Sequence, residues 1–99
     1  MTTPAAPPAA PSDLAATAVS ASQINLQWTD RATNETGYKI ERSTNGTAFS
    51  QIAIVAANAT TYASTGLTRN KTYYYRVRAT GGGGDSAFSN TASAKTPRK

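Results

Sequence analysis

The sequence predicts an all-β fold, a seven-stranded antiparallel β-sandwich. Three observations predict it. Short runs alternate apolar and polar residues, most clearly where Tyr73, Tyr75, Val77 and Ala79 are separated by Tyr74, Arg76 and Arg78. That period of two buries one face of a strand and wets the other. Turn signals recur every ~8–12 residues. No segment places apolar residues at i, i+3, i+4 and i+7 over a dozen positions, as a core helix requires.

Pro4 to Pro11 contains only proline and alanine. Proline fixes φ and alanine has little to bury, so an extended spacer of ~25 Å is expected there, at ~3.1 Å per residue. Residues 1–11 are therefore read as a flexible linker, 12–97 as the domain and 98–99 as a basic tip. Leu14 to Val19 reads as a weak, alanine-rich edge strand, and Ser20-Ala21-Ser22 as a turn. Ile24, Leu26 and Trp28 then alternate with Asn25, Gln27 and Thr29. Trp28 is the natural anchor of the core, because a large aromatic buries ~150–250 Å².

Asp30 to Thr36 is a polar loop, after which Tyr38 and Ile40 alternate with Lys39 and Glu41. Asn45-Gly46 predicts a type I′ hairpin turn with φ > 0 at both residues. Phe49 to Val55 is the next strand, Thr60 to Tyr62 a short one, and Thr72 to Thr80 the long one. Four glycines, Gly81 to Gly84, follow it. A glycine run carries the largest backbone entropy, so the most mobile loop is expected there. Phe88 to Thr96 reads as the last strand, ended by Pro97. The expected core is Leu14, Ile24, Leu26, Trp28, Tyr38, Ile40, Leu67, Tyr73, Tyr75 and Val77.

A chain of 99 residues bounds the answer to one domain. It has no cysteine and no histidine, which removes disulfides, thiolate metal sites and the commonest general base. Oxygen ligands do not cluster convincingly in Asp30 to Glu35, so no metal is expected. The net charge of +5 is read as scattered and serving solubility. Without a basic-aromatic motif or recognition helix, no nucleic-acid partner is expected. No apolar run approaches the ~20 residues that span a bilayer. Met1-Thr2-Thr3 shows no signal-peptide pattern, and the chain is expected to be a module of a longer polypeptide.

The five carboxylates Asp13, Asp30, Glu35, Glu41 and Asp85 fall in different elements. Glycoside hydrolysis needs two of them ~5–10 Å apart across a cleft, so neither catalysis nor a cofactor is expected. Tyr74, Arg76, Arg78 and Lys39 form a candidate contact surface on one strand face, with Glu41 beside Arg76 or Arg78 if their strands pair. The sequons at Asn34, Asn45, Asn58 and Asn70 are read as turn chemistry.

From about Pro11 to Thr96 the chain resembles a fibronectin type III domain, an immunoglobulin-like sandwich. Pro11-Ser12-Asp13-Leu14 followed by Ile24 to Trp28 resembles the family's opening and its strand B tryptophan. Gly37 to Ile40 resembles strand C, Leu67 through Tyr73 to Ala79 resembles strand F, and Gly84 to Ser89 resembles the opening of strand G. The resemblance implies sheets A-B-E and C′-C-F-G, with a tyrosine corner at Tyr73 whose hydroxyl bonds to backbone a few residues upstream. Two departures stand out: Arg69 where the family usually has proline, and Asn70 where it often has glycine. No Arg-Gly-Asp is present, so integrin binding does not carry over.

Thr33 to Ser43, T-N-E-T-G-Y-K-I-E-R-S, resembles type III domains appended to bacterial secreted glycoside hydrolases and surface proteins. This implies a monomeric, extracellular, non-catalytic spacer whose partners are neighbouring domains of its polypeptide. The alternatives are a module binding polysaccharide or protein through the C–F face or the loops, and an isolated or engineered binding scaffold.

Overall fold

The computed structural model describes residues 8–99, so Pro4 to Pro7 of the expected spacer lie outside the described residues. The strands are β1 (Ser12–Ser20), β2 (Gln23–Thr29), β3 (Glu35–Ser43), β4 (Ser50–Ala56), β5 (Thr61–Ser64), β6 (Thr72–Gly81), β7 (Gly84–Asp85) and β8 (Ala92–Lys95). One sheet has the order β1-β2-β5; in the other β4, β3 and β6 run side by side, and both β7 and β8 pair with β6. Every pairing is antiparallel. The sheets correspond to A-B-E and C′-C-F-G.

Periodicity becomes burial directly. Along β2 every second residue, Ile24, Leu26 and Trp28, is buried, and β6 does the same with Tyr73, Tyr75, Val77 and Ala79. With Leu14, Tyr38, Ile40 and Leu67 these residues form one cluster between the sheets. Trp28 and Tyr38 meet across it with ring centroids 5.7 Å apart.

Two local expectations are corrected, the Asn45-Gly46 turn and the extent of the last strand. Gly46 has φ +81° but Asn45 stays out of the left-handed region, so no type I′ turn forms. The Asn45 side chain instead accepts hydrogen bonds from the N–H groups of Thr47 and Ala48, both at 2.9 Å. Such side-chain caps close a longer loop at no cost in backbone conformation. The glycine run forms a tight hairpin, with Gly81 paired to Gly84. The last strand is broken. Ser86 and Ser89 donate their N–H groups to Ala79 and Val77 carbonyls (2.8 and 2.7 Å). In return their hydroxyls accept the Ala79 and Val77 N–H groups (2.9 and 3.1 Å). Two hydroxyls thus replace two backbone carbonyls, and β6 stays satisfied at Val77 and Ala79 while residues 86–91 form no regular strand.

The two ends of the domain sit at opposite poles. Glu35 pairs with Gly81 at one end of the β3–β6 ladder, and Ser43 pairs with Tyr74 at the other. Pro8 and Pro11 are buried, and Pro8 stands 3.6 Å from where a side chain on Gly81 would begin. The chain therefore enters beside the end of β6. It leaves beside the start of β6, where Lys95 pairs with Thr72. The ten residues of β6 separate the poles by roughly 30 Å, at ~3.3–3.4 Å per residue.

Candidate functional site

Tyr74, Arg76, Arg78 and Lys39 share the outer face of the β3–β6 pair, because the register sets Lys39 opposite Arg78 and Glu41 opposite Arg76. Their charges are answered within the face. Glu41 Oε1 lies 2.7 Å from Arg76 Nη2, and Asp85 takes both Lys39 Nζ (3.0 Å) and Arg78 Nη2 (3.3 Å). Glu41 is 9% exposed, so it is a covered partner of Arg76 instead of a solvated outward group.

Two phenylalanines complete the face. The Arg76 guanidinium carbon lies 4.3 Å from the Phe49 ring centroid and 3.8 Å from that of Phe88, and Arg78 lies 4.6 Å from Phe88. An arginine held between two rings gives up rotamer freedom, which cation–π attraction of about 0.5–1 kcal/mol per exposed contact offsets. Tyr74 is half-buried, with its ring 3.6 Å from where a side chain on Gly46 would begin. The face is a stack in which three cations meet two carboxylates, Lys39 and Arg78 sharing Asp85. Phe88 comes from the irregular stretch 86–91, which Ser86 and Ser89 hold to β6 and which no periodicity signals.

The tyrosine corner lies at the exit pole. The Thr68 N–H donates to the Tyr73 hydroxyl at 2.9 Å. Burial raises the Tyr73 pKa, but that hydrogen bond and the nearby Lys71 and Arg42 outweigh it and leave the pKa below the ordinary tyrosine value. Thr96 pins the same loop: Lys71 N–H donates to its hydroxyl (3.0 Å), which donates in turn to the Thr68 carbonyl (2.6 Å). Asn70, in the position where the resemblance expects glycine, takes φ +57°. Asparagine tolerates that region better than most residues, so the turn survives the departure.

Each carboxylate is engaged. Asp30 accepts the Tyr38 hydroxyl and the Ala32 N–H, and Glu35 accepts the Asn58 N–H at 3.1 Å. Asp13 faces Arg31 at 3.9 Å. Burial first, and then the Asp30 carboxylate, push the Tyr38 hydroxyl far above the ordinary tyrosine range. The Thr80 side chain and Lys39, with Arg78, hold Asp85 below its ordinary value of 3.8.

A depressed carboxylate stabilises the fold above its unfolded pKa, and that contribution is lost as pH falls through the folded value. Wild type should therefore melt above Asp85→Asn at neutral pH, and the gap should close as pH drops below 3.8. Melting curves across pH 2–7 read this, and a gap that persists unchanged to pH 2 would contradict the assignment.

A model of the fibronectin type III domain matches residues 9–95. An alpha-amylase of Niallia circulans is 39% identical over 93 residues, covering 91% of this chain and 7% of that protein. Chitinase A1 of Niallia circulans is 38% identical over 92 residues, covering 90% of this chain and 12% of that protein. The chain thus spans only a small part of the curated relatives it matches. Among solved structures, an Fn3-like protein from Clostridium thermocellum superposes with a TM-score of 0.78 at 32% identity, covering 93% of this chain and 96% of that one.

Proposed function

Because the chain belongs to the fibronectin type III family, we propose that it is a non-catalytic spacer in a secreted, multidomain carbohydrate-active enzyme. The observation that carries this reading is the position of its ends. Entry beside Gly81 and exit beside Thr72 make the domain add its own length between whatever it joins. A packed sandwich holds that length, whereas a flexible linker of similar contour samples shorter spans.

Three further features support it. Every carboxylate already has a partner within the protein. On the outer face of β3–β6 each cation is ion-paired within the face. The fold needs no disulfide, so redox conditions outside the cell do not govern its stability. Relatives within an alpha-amylase and a chitinase favour carbohydrate-active neighbours.

A pelleting assay with insoluble chitin and starch tests this against the binding-module alternative. The domain should remain in the supernatant. Retention that disappears in Tyr74→Ala would overturn the spacer reading in favour of a sugar contact on the β3–β6 face.

A further inference from the structure

The charge of this domain is polarised, contrary to the scattered distribution expected from the sequence. The chain has ten cations and five carboxylates. Four carboxylates gather toward the entry pole: Glu35 pairs with Gly81, Asp85 pairs with Thr80, Asp13 adjoins the Ser12–Thr29 pair, and Asp30 follows Thr29. Glu41 sits mid-sheet with Arg76.

The exit pole is different. Arg69 and Arg98 line an open concavity of about 600 Å³ together with Asn70 and Lys99. Lys95 closes the β8–β6 ladder. Arg42 and Lys71 lie 5.5 and 5.9 Å from the centroid of the Tyr73 ring. These six cations meet no carboxylate in any ion pair among the described residues. The remaining four cations are outnumbered by the five carboxylates, so the entire excess of positive charge sits where the chain leaves the domain.

We propose that the exit pole is a docking surface for an acidic protein face, the carboxylate-bearing surface of a neighbouring domain in the same polypeptide. This rests on reading the chain as a module between neighbours. The chemistry favours carboxylates on a broad surface. The cations are long side chains around an open concavity, and the Thr68, Asn70, Lys71 and Thr96 N–H groups that could cradle a phosphate are already bonded within the protein. Exposed pairs of this type are each weak and screened by salt. A tethered neighbour presents itself at an effective concentration on the order of millimolar, so weak pairs suffice to set its orientation. The Thr96 and Tyr73 latches hold the Thr68–Lys71 loop in place beneath the charges, so orientation passes into the sandwich.

The test is a titration of the isotopically labelled full chain with poly-L-glutamate, followed by amide chemical shifts. At ~10 mM salt, where the screening length is about 30 Å, shifts should concentrate at Arg69, Asn70, Lys71, Lys95 and Arg98. They should fade by ~150 mM, where it is about 8 Å. The double reversal Arg69→Glu with Arg98→Glu should weaken binding roughly tenfold or more. Arg31→Gln, at the other pole, should leave it unchanged.

Shifts centred on Lys39 and Arg78, shifts spread evenly, or a double reversal without effect would overturn the proposal. So would polyphosphate binding at the pole while poly-L-glutamate stays silent. Retention on chitin or starch that Tyr74→Ala abolishes would sink the spacer reading while leaving this titration intact. A silent titration would sink only the docking surface.

Discussion

Trp28→Ala loses about 3–5 kcal/mol of folding stability, the range for emptying a large buried aromatic site. Trp28 is 3% exposed and packs against Tyr38 between the sheets. Its removal leaves a cavity that neither sheet can close, because both are fixed by their backbone ladders. Domains of this kind are stable by about 5–15 kcal/mol, so the loss is a large share of the total and the urea midpoint falls steeply. The indole N–H finds no acceptor among the described residues. Trp28→Phe should therefore cost far less than the alanine variant, since it removes an unpaired polar group along with some volume. Urea titration of both variants reads the pair. A Trp28→Ala loss under about 1 kcal/mol would mean that the tryptophan does not anchor the core.

Loosening the corner at the exit pole comes second. Tyr73→Phe strips the acceptor from the Thr68 N–H, and Thr96→Val strips the partner from both the Lys71 N–H and the Thr68 carbonyl. These bonds are part-buried, so each substitution should destabilise by about 0.5–1.5 kcal/mol, the net worth of a hydrogen bond. Both bonds act on one loop. The double variant should then depart from additivity by about 0.5–3 kcal/mol, whereas distant sites add. Strict additivity within about 0.3 kcal/mol would show two independent latches instead of one corner.

What was legible in the sequence follows the physics of each element. Alternation in β2 and β6 translates directly into buried faces, because a pleated strand has only two sides. The corner was legible through the resemblance, since Leu67 and Tyr73 are spaced as the family spaces them. The Phe49–Arg76–Phe88 stack was not. Phe88 stands in an irregular stretch where the Ser86 and Ser89 hydroxyls replace carbonyls in the ladder, in place of the expected strand. The Asn45 loop was misread because a side-chain cap competes with the type I′ turn for the same dipeptide. Charge polarity was hidden for a different reason: Arg69 and Lys71 meet Lys95 and Arg98 only once the last strand folds back along β6.

The central claim is that the folded domain holds its two ends at opposite poles. The chain has no cysteine, so Ala9→Cys and Pro97→Cys can each carry one spin label, at positions that are exposed. Dipolar distance measurement between them should give one narrow distribution centred at roughly 30–40 Å, the length of β6 with its flanking turns. A distribution centred below ~20 Å, or one as broad as an unfolded linker gives, would contradict the account.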